Sequence, residues 1–262
     1  MGMGGGGYGI LYKEMMTMVP KKIHLCWFGG GKFPVEIKMC LESWAKLLPD
    51  YEIRLWNARD ARAIRCQYID EALDAQKWAF AADAVRFYAV WKEGGIYMDS
   101  DILVMKRFDS YIPERGFATF HEHIDDSIRL QAAFFMGEKG NEFCRRMYEY
   151  YDRRPFKQTD GRYDETISPI VMKEVAAGMG WKEEDRHQEL DNATVVYPGY
   201  LVTPRNHSVK HHRDAIAWHR IYGSWRKRKL GRRIWLLAKH IAAVGRYTLT
   251  HIGSRQQLPP IK

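Results

Sequence analysis

The sequence has no apolar run approaching the ~18–20 residues that a bilayer-spanning helix needs, so a helical integral membrane protein is not expected. It has little cysteine. Cys26, Cys40, Cys66 and Cys144 form no CxxC pair, which argues against structural zinc and for a reducing compartment with buried thiols. Met1–Gly9 is glycine-rich and lacks the charged-then-apolar layout of a secretory signal. Gly6 stands where a myristoylation signal wants Ser or Thr. The expected location is therefore cytoplasmic. GxxxxGK[ST], HExxH and GxSxG are also missing, so the P-loop, zincin and serine-hydrolase signatures are excluded. No internal repeat occurs, and no linker is long enough to demand a second independent domain.

What is present is a 262-residue chain with 46% hydrophobic residues, enough to build a real core. The net charge of +9 is unevenly placed. Residues 205–262 hold 14 Lys and Arg against the single acid Asp214, whereas residues 1–204 hold 27 basic and 31 acidic residues. A mildly acidic body with a basic tail is not the pattern of a nucleic-acid binder, and no nucleic-acid partner is expected.

Along the chain, Lys22–Phe28 reads as a central strand opening into Gly29-Gly30-Gly31. Pro34 suits the first turn of a helix carrying Ile37, Leu41, Trp44 and Leu48. Tyr51–Trp56 reads as a second strand, and a helical region includes Ala61–Gln76. Trp78–Trp91 is apolar on nearly every face, as a buried helix should be, and Gly94-Gly95 stops it. Ile96-Tyr97-Met98 is then a strand ending at Asp99-Ser100-Asp101. Strands are expected at Phe117–Phe120, Ala132–Met136, Val195–Tyr197 and Ala215–His219. Helices are expected at Asn141–Asp152 and Glu165–Ala177. This alternation predicts an α/β fold with a parallel core.

Ligands of open α/β sheets bind beyond the carboxyl ends of strands, which is where Asp99 and Asp101 fall. Two carboxylates at i and i+2 suit one hard cation, Mn²⁺ or Mg²⁺, that neutralises a departing diphosphate. Taken alone, such a triplet is more often a solvated turn. The preceding helix adds weight. Asp83 and Arg86 are the only charged residues between Trp78 and Trp91, and their i,i+3 spacing places them on one face. They are either an intrahelical ion pair or a pair at the cleft mouth that holds sugar hydroxyls.

The run Val19-Pro20-Lys21-Lys22-Ile23-His24-Leu25-Cys26-Trp27-Phe28-Gly29 resembles the opening of glycosyltransferase family 32, the DXD-motif "sugar-binding region" proteins. Ala82-Asp83-Ala84-Val85-Arg86, followed by Gly94-Gly95-Ile96-Tyr97-Met98-Asp99-Ser100-Asp101, resembles that family's central signature. The likeness is specific over about Val19–Asp109 and returns at His219-Arg220-Ile221-Tyr222-Gly223-Ser224-Trp225. Between about 120 and 195 it is too loose to use. The family includes capsule and lipopolysaccharide transferases and is akin to the catalytic domains of large glucosylating toxins.

The resemblance implies a GT-A fold, a Rossmann-like nucleotide-sugar-binding sheet carrying the DXD motif, and transfer with retention. It implies that Trp27 stacks on the nucleotide base and that Asp83 and Arg86 bind the donor sugar. Asp99 would touch the ribose and the metal shell, and Asp101 would ligate the metal directly. His219 or Ser224 would complete the metal shell, and Trp225 would donate to the diphosphate. Each has a plainer alternative: Trp27 as core, His219 as a satisfied core histidine, Trp225 as a membrane anchor. His207, His211 and His212 could suggest metal but read as solvated in a Lys/Arg-rich loop, and Glu122, Asp125 and Asp126 could face the acceptor but read first as a surface loop.

The resulting expectation is a flexible glycine-rich N-terminus over 1–18, a catalytic domain over 19–225 and a basic amphipathic tail over 226–262. The expected enzyme is a retaining hexosyltransferase using UDP-galactose or UDP-glucose, with GDP-mannose open, and a glycan or lipid-linked glycan acceptor. An Asp-x-Asp phosphatase is the enzymatic rival, although Leu103 stands where its signature wants Thr or Val. A polyanion-binding protein is the non-enzymatic rival. The tail, about Arg226–Thr250, carries Ile234, Trp235, Leu236, Leu237, Ile241, Val244 and Tyr247 near helical spacing. It either lies on an anionic membrane surface or packs on the catalytic domain.

Overall fold

A computed structural model describes residues 19–124, 127–204 and 213–220, together with Ala238, Ile241 and Ala242. Residues 1–18, Asp125, Asp126, His207, His211, His212, Ser224 and Trp225 lie outside the described residues. So does most of the 226–250 stretch.

The main sheet has the order β2-β1-β3-β7-β5-β9-β8, with β6 paired to β5. Its first half is parallel: β1 (Lys22–Cys26) lies between β2 (Glu52–Trp56) and β3 (Gly95–Met98). Its second half is largely antiparallel. β7 (Phe134–Gly137) runs against β3 and against β5 (Phe117–Ile124), which is parallel to β9 (Thr194–Tyr197). β6 is Ser127–Leu130 and β8 is Gln188–Leu190. A second sheet of three strands joins β10 (Val202–Pro204), β11 (Ala217–His219) and β4 (Ile102–Val104). The mixed α/β architecture read from the sequence is the one found.

Alternation along the strands sorts side chains to the two faces of the sheet. Ile23, Leu25, Ile96, Met98, Phe134 and Met136 join the core on one side, beneath helix α1 (Val35–Leu47). Tyr97 and Phe135 join the other, where α2 (Ala58–Arg62), α3 (Gln67–Asp74), α4 (Trp78–Glu93), α5 (Glu142–Asp152) and α6 (Ser168–Ala177) gather. α4 is central to that layer, which explains why its sequence is apolar almost all round. Its ends are the exceptions, with Trp78 38% exposed and Lys92 also exposed.

The α4–β3 connection is the single residue Gly94, with Gly95 opening the strand. Gly94 and Gly95 take φ of +69° and +111°, and a Cβ on Gly95 would lie 2.5 Å from the Lys22 carbonyl oxygen. Only glycine fits there.

Several expectations needed adjustment. Pro34 is the N-cap of α1 rather than a first-turn residue. The helical region after β2 is two helices broken by Arg65, whose φ is +60°. β5 is longer than Phe117–Phe120, so Glu122 belongs to a strand and is buried, not part of a surface loop. No helix among the described residues is long and apolar enough to cross a membrane.

Candidate active site

The Asp99-Ser100-Asp101 triplet is a turn, but not a solvated one. Asp99 N–H donates to the Ala133 carbonyl at 2.8 Å, continuing the β3–β7 ladder one residue past the strand. Ile102 N–H closes on the Asp99 carbonyl at 3.0 Å, and the chain turns into β4. β4 is held from behind by α1: Trp44 Nε1 donates to the Ile102 carbonyl at 2.7 Å, and Val104 N–H donates to Ser43 Oγ at 3.0 Å. A turn pinned between two sheets presents its carboxylates in one fixed direction.

The second sheet brings His219 to this turn. β11 runs antiparallel to β4 with His219 opposite Ile102, and Arg220 N–H donates to the Asp101 carbonyl at 3.1 Å. One ligand atom each from Asp99, Asp101 and His219 lies within 4.8 Å of the others. His219 Nε2 is 3.6 Å from Asp101 Oδ1, and its Nδ1 is 3.5 Å from Glu122 Oε1 on β5. Burial alone would lower the imidazole pKa. The carboxylates of Asp101, Glu122 and Asp99 reverse that and hold it up at about 9.

On the other side of Asp99 lies the charged pair of α4. Arg86 Nη2 meets Asp83 Oδ1 at 2.9 Å and Asp99 Oδ1 at 3.5 Å. Its Nη1 and Nε donate to the carbonyls of Ala132 (2.8 Å) and Ala82 (3.2 Å). The guanidinium sits 4.9 Å from the Tyr97 ring centre, and the Tyr97 hydroxyl donates to Asp99 Oδ1 at 2.7 Å. The intrahelical ion pair therefore forms, and it also reaches the triplet. Burial works against the Arg86 charge, but Asp99, Tyr97 and Asp83 outweigh it and keep the group cationic. Asp83 shares that cation and is hydrogen-bonded by Ser168, whose N–H lies 3.3 Å away, yet burial outweighs these and raises its pKa.

Trp27 directly follows β1 and is half-buried. Its indole N–H donates to the Gly31 carbonyl at 3.0 Å, and its ring leans on Phe33 with centroids 4.9 Å apart. It is thus neither fully core nor loose. Cys26, at the end of β1, is unreactive, burial pushing its thiol up to about 12.

Tyr97 and the Gln131–Ala133 segment went unnoticed as site components in the sequence, and Glu122 was weighed only as an acceptor-facing or surface-loop residue, not as a neighbour of His219. Glu122 had a readable signal: a lone carboxylate in the run Phe117–Glu122, where every other residue suits a buried strand. Tyr97 had none, since a strand aromatic reads as core.

Residues 34–118 match the model of the glycosyltransferase sugar-binding region containing the DXD motif. This stretch of the chain is therefore a DXD-type glycosyltransferase region, as the resemblance to family 32 implied. Inositol phosphoceramide mannosyltransferase 3 of Schizosaccharomyces pombe is 30% identical over 100 residues, 35% of this chain. The match spans 27% of that relative's length. Among solved structures, the PaToxG glycosyltransferase is 17% identical with a TM-score of 0.48, over 65% of this chain and 74% of its own. Galactosyltransferase LgtC, solved with donor and acceptor sugar analogs, is 10% identical with a TM-score of 0.40, over 86% and 95%.

Proposed function

We propose that the protein is a retaining glycosyltransferase that moves a hexose from a nucleotide-sugar donor to a glycan acceptor with a divalent cation. The observation that carries this reading is the meeting of Asp99, Asp101 and His219 at the end of β3, within a DXD glycosyltransferase region. Two carboxylates and one imidazole fit Mn²⁺ well, because Mn²⁺ accepts nitrogen beside oxygen more readily than Mg²⁺ does. Such an ion supplies Lewis-acid stabilisation of the departing diphosphate. Ser224 and Trp225, close after His219 in sequence, are proposed for the metal shell and the diphosphate respectively.

Arg86 and Asp83 hold one another and brace Asp99, so their action on the donor sugar is through the few atoms they leave exposed. Trp27, half-exposed at the mouth of the parallel half, supports a base-stacking role.

UDP-galactose or UDP-glucose is the proposed donor. The relative's printed name makes GDP-mannose the alternative and favours a lipid-linked acceptor. Donor hydrolysis needs no acceptor, so a screen of these nucleotide sugars with Mn²⁺ tests the reading. Hydrolysis of one donor, abolished by EDTA, is expected, and turnover undiminished in excess EDTA would overturn the metal assignment.

The basic tail is proposed to dock on an anionic membrane surface from the cytoplasmic side, each cation adding about 1 kcal/mol near the surface. Ile241 is helical and 63% exposed, which favours docking over packing on the catalytic domain. Vesicle co-sedimentation of the full chain against a truncation after Lys227 checks it, equal negligible binding being the contrary result.

A further inference from the structure

His219 has two ring nitrogens, and the fold gives each a different neighbour. Nε2 faces Asp101 Oδ1 at 3.6 Å, on the side where Asp99 and Asp101 offer their ligand oxygens. Nδ1 is buried, and Glu122 Oε1 lies 3.5 Å from it. Glu122 stands in the middle of β5, opposite Arg129 of β6, and is only 7% exposed. It is not one of the three residues whose ligand atoms cluster within 4.8 Å. Among the described residues, its ion-pair contact is with His219. A carboxylate is costly to bury in a strand without a partner, and this one is placed against the nitrogen that faces away from the metal site.

We propose that Glu122 is a positioning residue for the metal centre: it receives the Nδ1–H of His219 and so leaves the Nε2 lone pair for the cation. The inference rests on Asp99, Asp101 and His219 being the metal ligands. A neutral imidazole carries one N–H, and the nitrogen that carries it does not ligate. With no acceptor at Nδ1 the proton divides between the two nitrogens, and the ring is free to turn. A buried carboxylate at Nδ1 fixes both the tautomer and the ring plane. The 3.5 Å separation is long for a hydrogen bond, and a small carboxylate rotation closes it. Three stretches far apart in sequence, at 99–101, 122 and 219, thus form one centre.

The test is Mn²⁺ titration of the full chain without donor, with free Mn²⁺ read by electron paramagnetic resonance. Melting of the metal-free protein is recorded alongside. Glu122→Leu removes the acceptor and is expected to weaken Mn²⁺ binding by about 10–100-fold, with the metal-free melting temperature not lowered. Glu122→Gln keeps a carbonyl acceptor without the charge and is expected to fall between Leu and wild type. Wild-type affinity in both variants overturns the proposal, and if the Leu variant does not fold, wild-type affinity in Glu122→Gln does so alone. Asp101→Ala separates this outcome from failure of the metal site itself. No binding by wild type, or undiminished binding by Asp101→Ala, removes the metal centre. Binding lost in Asp101→Ala but unchanged in the Glu122 variants removes only the positioning role.

Discussion

His24 and His219 are both withdrawn from water, yet their surroundings treat a proton in opposite ways. His24, 0% exposed on the central strand, has only neutral hydrogen-bond partners. The Trp56 indole N–H donates to its Nδ1 at 3.1 Å, which leaves Nε2–H to donate to the Gly94 carbonyl at 2.8 Å. Burial lowers its pKa to about 4, against some help from the Gly94 contact. His219 keeps 14% of its side chain exposed and faces Asp101 and Glu122. The first is a satisfied core histidine that locks β1 to β2 and to the α4–β3 turn. The second sits among carboxylates, where the proposed cation would bind. Burial does not separate these two histidines; the charge of the groups packed around them does.

The largest effect that would break this contrast is at the triplet. Asp101→Ala should lower donor turnover by several orders of magnitude, because a direct ligand oxygen and its charge are lost. Its urea midpoint should stay close to wild type. Steady-state hydrolysis with saturating Mn²⁺ measures the loss, and near-wild-type turnover would place the chemistry elsewhere.

Next comes the buried pair that braces Asp99. Arg86→Met strands Asp83 without its cation and should cost about 3–5 kcal/mol of stability, read from urea unfolding. Arg86→Lys keeps the charge but not the fork, and should reduce turnover more than it reduces nucleotide affinity measured by calorimetry. An unchanged urea midpoint for Arg86→Met would mean that the pair is not structural.

His24 sets the acid side. Above pH 6.5 the ring is neutral in both folded and unfolded chains. As pH falls through 6.5 the unfolded chain takes up a proton that the folded one refuses until about pH 4. Stability is therefore lost on acidification across that window, by about 3 kcal/mol from this residue at ~1.4 kcal/mol per pH unit. His24→Gln can still accept from Trp56 and donate to Gly94, so it should show a shallower fall in stability between pH 6.5 and 4. Parallel slopes for the two proteins would show that His24 titrates normally when folded.

The smallest effect is expected at the rim. Trp27→Ala should weaken nucleotide binding by about 1–3 kcal/mol, the range for a base stacked on an aromatic ring, with little change in melting temperature because the side chain is half-exposed. A large stability loss with unaltered nucleotide affinity would make Trp27 core after all.

The parts legible in the sequence are those written in neighbouring residues. Short runs between turn residues, mostly apolar in β1, gave β1, β2 and β3, and the apolar helix ending at Gly94-Gly95 gave α4. The i,i+3 pair and the i,i+2 carboxylates follow from helix and strand geometry alone. β4, β6, β8 and β10, each of three or four residues, were not readable, since a short strand holds too little pattern to stand out from a loop. The family resemblance named His219, but its place opposite Ile102 depends on pairing between segments over a hundred residues apart.

By itself, then, the sequence determined the α/β class, the strand end that carries Asp99 and Asp101, and the charges isolated in α4. Local spacing and side-chain polarity suffice for these. Tertiary structure alone decided that Arg86 reaches past Asp83 to Asp99, that Tyr97 hydrogen-bonds the same carboxylate, and that Glu122 lies beside His219. These contacts join strands and helices distant in the chain, and which of them meet is fixed by sheet order and by packing of the two cores, which no local pattern encodes.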